Sequence, residues 1–298
     1  MSLSLVYDRI DHFRDFNIWP RQQELNVERW IENFQLDEIY IAERLLANFT
    51  YFNRSMTSAL LRNAIQKFLS DAWYKPGFQH PPSFTNLNDI SFVLCEGEEP
   101  HSTDSGNLFA RKLRDELRIP EPFINSAAAA LGKSSTIKHY IFVDDFSGSG
   151  NQFKDTINRI HNISGTPMSF AHLLNDNKHS ISYCPCIATN YSKNDTIAPA
   201  FPSINLFPAH ILSDAHNATL QTSRIWRGLD GPDANAAIAK LKTISIRAGY
   251  PREDFGQDDW RGFHGLGLSV AFEHGIPDAS LPLFFSERNG WKPLMRRA

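Results

Sequence analysis

The segment of residues 139–153, HYIFVDDFSGSGNQF, limits the fold more than any other part of the sequence. It starts with an apolar run, continues with the adjacent acids Asp144 and Asp145, and then alternates serine with glycine. A short apolar run bounded by turn residues predicts a buried strand. Apolar residues at helical spacing in residues 151–163 predict that a helix follows the glycines. The segment therefore predicts a strand, a tight loop and a helix in direct succession.

The same succession of strands and helices continues on both sides of this segment. Further apolar runs predict strands, namely ISFVL (90–94), MSFAHLL (168–174), ISYCPCIA (181–188), INLFPAHIL (204–212) and a last strand with an ordered tail within residues 267–285. Apolar residues at helical spacing predict helices over residues 107–117 and 233–248. This alternation predicts an α/β fold around a parallel sheet.

The first part of the chain has a different pattern. Apolar residues at three- and four-residue spacing predict helices up to residue 73. Pro76, Gly77, Pro81 and Pro82 then interrupt any periodicity. We therefore predict a helical N-terminal subdomain over residues 1–85 and an α/β domain with an ordered C-terminal tail over residues 86–298.

Composition excludes several classes of protein. The chain has 298 residues and a net charge of −3, which gives no general attraction to nucleic acid or to an anionic membrane. Its three cysteines are too few for a disulfide framework, so we expect buried, reduced thiols. No apolar run approaches the ~20 residues of a membrane span, and the N-terminus lacks a signal-peptide pattern. We therefore expect a soluble, cytoplasmic protein without a membrane partner.

The loop after the predicted strand 139–143 has the features of a phosphate site. Ligands of parallel sheets gather at the carboxyl ends of the strands, and the first amides of a following helix attract anions. The two glycines of the loop let the backbone approach an anion closely, and its serines add hydroxyl donors. The residues that we predict to bind phosphate are Ser147, Gly148, Ser149, Gly150, Asn151 and Gln152.

Asp144 and Asp145 cannot bind that phosphate, because like charges repel each other. They can accept hydrogen bonds from neutral hydroxyl groups, or hold Mg²⁺ through water. A ligand with a phosphate at one end and vicinal hydroxyls beside it meets both demands, and ribose 5-phosphate is such a ligand. Carboxylates near the ribose would also stabilise positive charge that develops at its anomeric carbon. We therefore predict that both aspartates are catalytic.

Two other interpretations of the segment stay open. Acidic residues and glycines are common at any strand-to-helix turn, so the pattern can be purely structural. An apolar run before paired acids also describes the magnesium-binding strand of P-loop nucleotidases, and AAAALGKS (127–134) fits a relaxed phosphate-loop motif. That motif requires a strand before it and a helix after it. Here a helical stretch precedes the motif, and the strand 139–143 follows it.

At these residues the chain resembles the phosphoribosyltransferases of the type I fold. Their signature is a hydrophobic strand, two acidic residues, three variable positions and then Thr-Gly. Asp144 and Asp145 match the acids, residues 146–148 the variable positions, and Ser149-Gly150 the Thr-Gly. The resemblance implies that the acids contact the ribose hydroxyls of phosphoribosyl pyrophosphate and that residues 147–152 hold its 5-phosphate. It also implies Mg²⁺ that arrives with the substrate.

The N-terminal helices, the VDDFSGSG core and the tail over residues 272–297 are similar to one branch of this fold. That branch comprises phosphoribosyltransferase-like proteins encoded in bacterial conflict and anti-phage loci, some beside retron reverse transcriptases. The resemblance implies an antiviral effector that acts on phosphoribosyl pyrophosphate or a nucleotide at its anomeric carbon, with protein or ribonucleoprotein partners.

The loop after the predicted strand 90–94 favours an alternative function. This loop carries the acids Glu96, Glu98, Glu99 and Asp104, and such a loop is a poor grip for pyrophosphate by simple Coulomb reasoning. The alternative is therefore a catalytically inactive module that senses nucleotides or serves as a scaffold in a defence complex.

Overall fold

The structure is a computed structural model that describes residues 3–20, 23–73, 89–97, 105–175 and 178–297. The chain forms two compact units. The sheet unit comprises Thr57–Leu212, and the terminal unit comprises Met1–Met56 together with Ser213–Ala298. The predicted boundary between residues 85 and 86 lies outside the described residues and stays a prediction.

Helices and strands alternate through most of the described residues. The helices are α1 (Leu3–Asp15), α2 (Val27–Ile31), α3 (Ile39–Ala47), α4 (Arg54–Trp73), α5 (Ser105–Arg111), α6 (Ala127–Leu131), α7 (Asn151–Asn158), α8 (Phe170–Leu174), α9 (Ala198–Ala200) and α10 (Gly231–Arg247). The strands are β1 (Thr50–Phe52), β2 (Ile90–Leu94), β3 (Ile124–Asn125), β4 (His139–Ser147), β5 (His161–Ile163), β6 (Thr166–Met168), β7 (Ser180–Thr189), β8 (Asn205–Leu206), β9 (His210–Leu212) and β10 (Val270–Phe272). Two π-helical segments, Lys112–Glu116 and Ser192–Ile197, follow α5 and precede α9.

A parallel sheet forms the centre of the sheet unit. Its strand order is β3-β2-β4-β7-β8, and β9 also pairs with β7. All of these pairings are parallel, and Val143 of β4 lies between Leu94 of β2 and Cys184 of β7. Parallel neighbours need a crossover connection, and the one from β4 to β7 contains α7 and α8. The predicted α/β fold with a parallel sheet is confirmed.

Aromatic contacts attach α7 to one face of this sheet. Phe153 of α7 stacks on Tyr183 of β7, with ring centroids 3.9 Å apart and planes 2° from parallel. Phe142 of β4 meets Phe153 and Phe170 edge to face. All four rings are buried, and burying each such ring contributes roughly 1.5–3 kcal/mol. This packing fixes the first turn of α7 beside the carboxyl end of β4.

Several predicted elements are confirmed with shifted ends. The predicted strand 139–143 continues to Ser147, because the chain keeps its pairing with β7 up to that residue. Asp144 and Asp145 therefore lie inside the strand. The predicted helix 151–163 ends at Asn158, and residues after it form the hairpin β5–β6. Its two-residue turn, Ser164-Gly165, has positive φ at both positions, as a type I′ turn needs.

The strand predicted over residues 168–174 is wrong. Met168 ends β6, and the next residues form α8. Ser169 is the reason, because its hydroxyl accepts the backbone N–H of His172 at 3.4 Å. The His172 ring nitrogen Nδ1 accepts the backbone N–H of Ser169 at 3.1 Å in return. This reciprocal capping box starts a helix in a segment whose apolar residues also fit a strand.

The remaining strands of the sheet follow the predictions more closely. The predicted strands 90–94 and 181–188 correspond to β2 and β7. The predicted strand 204–212 consists of two short strands, β8 and β9. The segment between them contains Pro208, which lacks the N–H that a sheet ladder needs.

The terminal unit brings together residues from both ends of the chain. Strand β1 pairs in parallel with β10, so that Tyr51 lies opposite Ala271. Inside the core, the indole N–H groups of Trp30 and Trp291 donate to the carbonyl of Leu283 at 2.7 and 2.9 Å. The segment up to residue 73 is therefore mainly helical, as predicted, but it also contains a strand.

Helix α10 confirms the helix predicted over residues 233–248 and joins the N-terminal helices by an ion pair. Both guanidinium nitrogens of Arg247 donate to the Glu38 carboxylate, at 2.7 and 2.6 Å. The Glu38 side chain is buried, and it also accepts the backbone N–H of Gln35 at 2.8 Å. Among the helices of the described residues, none combines the length and the apolar character that a membrane crossing requires.

Candidate functional site

Asp144 and Asp145 lie side by side near the end of β4, and both carboxyl groups bend towards the carboxyl end of the strand. Asp144 accepts the backbone N–H of Asp145 at 3.0 Å, and Asp145 accepts that of Phe146 at 2.8 Å. Tyr183 donates its hydroxyl to the other oxygen of Asp144 at 3.0 Å. Asp144 is only 3% exposed, whereas Asp145 is half-buried. Asp145 is therefore the more accessible member of the pair.

The two carboxyl groups differ in their electrostatics. Burial, and next the charge of Asp145 and a hydrogen bond between the two side chains, raise the pKa of Asp144 well above its usual range. The Tyr183 hydroxyl and the Asp145 amide lower the pKa of Asp144, but by less than burial raises it. This shift favours the protonated form of Asp144, as is typical of one member of a close carboxyl pair. The pair then carries less negative charge, which weakens its repulsion of a nearby phosphate.

Three buried groups that were not predicted as site residues lie near the pair, namely Cys95, Tyr183 and Cys186. Burial and then the charge of Asp144 raise the pKa of Cys95 and the pKa of Tyr183. Burial also raises the pKa of Cys186, and the charges of Asp145 and Asp144 add to the effect. All three groups are therefore protonated at neutral pH. Protonated thiols are poor nucleophiles, so these groups give the acids an uncharged surrounding and no reactive neighbour.

The loop Gly148–Gly150 leads from β4 into α7. Gly150 has a φ of +81°, which L side chains rarely adopt, and a Cβ there would lie 2.8 Å from the Oγ of Ser192. The hydroxyl of Ser149 accepts the N–H of Asn151 at 3.3 Å. Within the described residues, the backbone N–H groups of Ser149 and Gly150 have no hydrogen-bond partner. Two donors at the start of α7 are therefore available to an anion.

Thr189, which ends β7, and Ser192, in the π-helical segment after it, support this loop through hydrogen bonds. Thr189 donates its hydroxyl to the carbonyl of Gly148 at 2.5 Å, and its oxygen accepts the N–H of Ser192 at 2.9 Å. The hydroxyl of Ser192 lies 2.6 Å from that of Ser147. Thr189, Ser192 and Ser147 are all buried. The Ser147 hydroxyl is thus engaged inside the protein, which leaves the backbone amides as the main donors of the loop.

Thr189 and Ser192 were not predicted as site residues, although the sequence contains a signal for Thr189. Thr189 directly follows the predicted strand 181–188. In a parallel sheet the carboxyl ends of adjacent strands meet at one edge, so the residue that ends β7 lies near the end of β4. Ser192 lies in a π-helical segment that no sequence pattern predicted.

The last two predicted phosphate-binding residues form the first turn of α7. Gln152 is exposed, and its carbonyl accepts the hydroxyl of Thr156 at 2.8 Å. Asn151 is half-buried and directly follows Gly150. The structure therefore brings all of residues 147–152 together at the end of β4, next to the acid pair. Their contact with a ligand stays a prediction.

The acidic loop after β2 begins with a neutralised carboxylate. Glu96 lies 3.0 Å from a guanidinium nitrogen of Arg159 and 3.4 Å from Nε2 of His161. Its backbone N–H donates to the Thr156 hydroxyl at 3.2 Å, so the described start of the loop runs along α7. The other acids of the loop, Glu98, Glu99 and Asp104, lie outside the described residues.

Residues 127–134 do not form a phosphate loop. The first five of them are helix α6, which begins after the cap Ser126 and ends at Gly132. A P-loop has the reverse order, with a glycine-rich loop that leads into a helix. Lys133 donates to the Asn125 side chain at 2.6 Å instead of reaching towards a loop of amides. The structure therefore does not favour the P-loop nucleotidase interpretation.

The comparison with protein families gives a match over residues 27–297, to the model of the PRTase-CE family. The matched region includes the acid pair, the loop Gly148–Gly150 and the residues that hold this loop. Searches of the curated proteins and of the solved structures found no match.

Proposed function

Because the chain belongs to the PRTase-CE family, a phosphoribosyltransferase-like family, we propose that it binds a ribose 5-phosphate compound and acts at its anomeric carbon. The observation that carries the proposal is the junction of two unlike sites at the end of β4. Asp145 offers an accessible carboxylate, and a few residues later Ser149 and Gly150 offer N–H groups without partners. The carboxylate can accept hydrogen bonds from hydroxyls, and the N–H groups can donate to a phosphate.

The two ends of the ligand have different roles in this proposal. The 5-phosphate binds to the amides of Ser149 and Gly150 at the start of α7, where the helix dipole also favours an anion. The ribose hydroxyls donate to the carboxylate of Asp145. Asp144 is buried and protonated in this proposal. The pair then carries a single negative charge, which repels the phosphate less than two charges would.

The chemistry that we propose depends on the negative charge of the Asp145 carboxylate beside the sugar ring. Breaking the bond at the anomeric carbon leaves positive charge on the sugar ring, and a fixed carboxylate stabilises it. Removing one such preorganised group typically lowers kcat by about 10²–10³. The buried groups Cys95 and Tyr183 exclude water from one side of the acid pair, which strengthens this electrostatic effect.

In this proposal, Mg²⁺ binds together with the substrate and not at a separate site of the protein. The described residues contain no cluster of three or more His, Cys, Asp or Glu side chains that could hold a metal ion. A bound Mg²⁺ would therefore take most of its oxygens from the phosphates of the ligand, and Asp145 is the carboxylate of the pair that can reach it.

The biological setting extends the proposal. The resemblance to proteins of bacterial conflict loci supports an effector of antiviral defence, which consumes phosphoribosyl pyrophosphate or a nucleotide in the cytoplasm. Protein or ribonucleoprotein partners would control such an activity. The defence role can be tested separately from the chemistry, by phage challenge of cells that carry wild-type protein or the Asp145→Asn variant.

One observation favours a second candidate, a nucleotide sensor without turnover. In the described residues of the loop after β2, the only charged side chain is Glu96, and its carboxylate is paired with Arg159 and His161. This part of the loop offers no cation to a leaving pyrophosphate. A module that binds phosphoribosyl compounds without releasing pyrophosphate agrees with this arrangement.

Calorimetry followed by a turnover assay tests the proposal. Ribose 5-phosphate, ribose, phosphoribosyl pyrophosphate and nucleotides are titrated into wild type, Asp145→Asn, and the double variant Asp144→Asn/Asp145→Asn. We expect phosphorylated ribose to bind wild type, turnover to disappear in both variants, and the exposed Asp155→Asn to match wild type.

Each other outcome has a definite meaning. Full activity of the double variant would contradict the assigned roles of the aspartates. Binding to wild type without any turnover would favour the sensor. Failure of every phosphorylated ribose to bind would defeat both candidates.

A further inference from the structure

Thr189, the last residue of β7, contacts Gly148 of the loop Gly148–Gly150, and Ser192, in the π-helical segment that follows, contacts Ser147 just before the loop. We propose that these two residues are positioning residues, which turn the amides of the loop towards the phosphate of the ligand. The inference rests on the proposed function, since it names the groups that make the phosphate end of that site. Both residues are buried, and their hydroxyls are engaged with the Gly148 carbonyl and the Ser147 hydroxyl.

The first step is the orientation of one peptide group. The hydroxyl of Thr189 donates to the carbonyl of Gly148 at 2.5 Å and thereby fixes the direction of this carbonyl. The peptide unit between Gly148 and Ser149 is planar and trans, so its C=O and N–H point in opposite directions. The N–H of Ser149 must therefore point away from Thr189, towards the opposite side of the loop.

The second step is the position of Thr189 itself. Its oxygen accepts the N–H of Ser192 at 2.9 Å, so the same hydroxyl serves as donor on one side and acceptor on the other. This pairing fixes the proton of Thr189 towards Gly148. A valine has the same shape without the hydroxyl and would lose both hydrogen bonds, whereas a serine would keep them.

The third step is the support under the rest of the loop. The Ser192 hydroxyl lies 2.6 Å from the hydroxyl of Ser147, and it would lie 2.8 Å from a Cβ at position 150. Ser192 therefore holds Ser147, the residue just before the loop, and fills the space beside Gly150, the last residue of the loop. Gly150, which lacks a Cβ, can keep its N–H directed to the same open side as that of Ser149.

The chemistry of the two residues fits a phosphate monoester as the ligand. Hydroxyl groups are uncharged, so they orient the amides without competing for the anion as a lysine or an arginine would. Successive backbone N–H groups that converge on one side of a turn form an anion-binding concavity. The positioning residues thus raise the affinity for the phosphate end of the ligand and not for the ribose end.

The test compares wild type with Thr189→Val, Thr189→Ser and Ser192→Ala. Thr136→Val is the matched control, because the Thr136 hydroxyl also donates to a backbone carbonyl, that of Lys133, but lies on an exposed turn of the same unit. Calorimetry measures the Kd for ribose 5-phosphate and for ribose. We expect Thr189→Val to raise the Kd for ribose 5-phosphate about tenfold, which equals about 1.4 kcal/mol. Thr189→Ser should restore it, while Thr136→Val binds like wild type and the affinity for ribose stays unchanged.

The other outcomes separate this inference from the proposed function. Equal binding of ribose 5-phosphate by wild type and Thr189→Val overturns the inference and leaves the proposed function intact. If wild type binds neither ribose 5-phosphate nor any other phosphorylated ribose, the proposed function fails. The inference is then decided by titrating inorganic phosphate and following the amide resonances of Ser149 and Gly150. Shifts that occur in wild type and are lost in Thr189→Val uphold it, and any other result overturns it. If Thr189→Val does not fold, Ser192→Ala is judged by the same criteria.

Discussion

The hydroxyl of Tyr183 donates a hydrogen bond to the carboxyl group of Asp144 across two adjacent strands, at 3.0 Å and out of contact with solvent. The ring that carries this hydroxyl stacks on Phe153 of α7. One tyrosine thus links the acid pair on β4 to the helix that starts at the loop Gly148–Gly150. A change in the packing of α7 would therefore be felt by the carboxyl groups as well.

Replacing Tyr183 with phenylalanine should keep the stacking and remove only the hydroxyl. The Asp144 oxygen would then be buried without this donor, so we expect the free energy of unfolding to fall by roughly 1–3 kcal/mol. Chemical denaturation measures the change. The control is Tyr51→Phe, because Tyr51 is buried but its hydroxyl has no hydrogen-bond partner within the described residues. An equal loss in both variants would contradict the role of the Tyr183 hydroxyl.

The raised pKa of Asp144 predicts how stability depends on pH. The folded pKa lies above the usual value of 3.8, so the folded protein keeps a proton that the unfolded chain releases. The stabilisation by Asp144 is therefore complete below the unfolded pKa and declines as the pH rises towards the folded pKa. Asp144→Asn removes this titration, so the free energy of unfolding of the variant should increase relative to that of wild type as the pH rises above about 4.

Denaturation curves at several pH values check this expectation. Asp155→Asn serves as the control, because it removes the same formal charge from an exposed position on α7. A difference in the free energy of unfolding between Asp144→Asn and wild type that stays constant with pH would contradict the raised pKa of Asp144.

Gly150 and Gly165 allow the cost of steric overlap to be separated from the cost of backbone strain. Both have positive φ, +81° and +87°, but a Cβ at Gly150 would meet Ser192 whereas a Cβ at Gly165 would meet nothing within 4 Å. We expect Gly165→Ala to lose roughly 1–2 kcal/mol of stability from backbone strain alone. Gly150→Ala should lose a further ~1–3 kcal/mol from overpacking. Thermal or chemical unfolding measures both, and equal losses would mean that Ser192 does not close off this side of the loop.

The ion pair of Glu38 and Arg247 predicts the opposite pH dependence in the terminal unit. Hydrogen bonding to Arg247 lowers the pKa of Glu38 below its usual value of 4.5, although partial burial opposes the change. The stabilisation is therefore present above the unfolded pKa and is lost as the pH falls through the folded pKa. Glu38→Gln should destabilise the protein by roughly 1–3 kcal/mol at pH 7, and by less as the solution becomes acidic.

Glu32→Gln is the natural comparison for this prediction. Glu32 also pairs with a cation, Lys292, but both side chains lie on the surface. Exposed ion pairs contribute little because solvent screens them and side-chain entropy opposes them. A loss in Glu32→Gln as large as that in Glu38→Gln would contradict the importance of burial.

The sequence predicted the sheet unit better than the terminal unit, and the reason is the range of the interactions. The strand 139–143, the glycine loop and the start of α7 are specified by neighbouring residues, so local patterns were enough to find them. The pairing of β1 with β10 depends on residues at opposite ends of the chain, and each strand has only three residues. The last strand predicted within residues 267–285 corresponds to β10, but no local pattern marked β1 or its pairing with β10.

Within the candidate site, the sequence indicated which residues lie together, but not their protonation or their hydrogen-bond partners. Two adjacent aspartates predict a doubly charged pair, whereas burial raises the pKa of Asp144 in the folded protein and favours its protonated form. The serines of the loop looked equivalent, but Ser147 turns inward to Ser192 while Ser149 caps Asn151. Both differences arise from packing around β7, which becomes adjacent only when the sheet has formed.

The terminal unit combines both ends of the chain, which affects the order in which the two units fold during synthesis. Residues 57–212 can complete their own unit as soon as they have left the exit tunnel, whereas Met1–Met56 must wait for Ser213–Ala298. During that interval Trp30 lacks the Leu283 carbonyl that its indole N–H will bind, and β1 lacks β10. The nascent chain therefore contains a folded sheet unit, while its N-terminal segment has not yet packed against the C-terminal residues of the terminal unit. Truncated or stalled chains would expose that segment to chaperones and proteases.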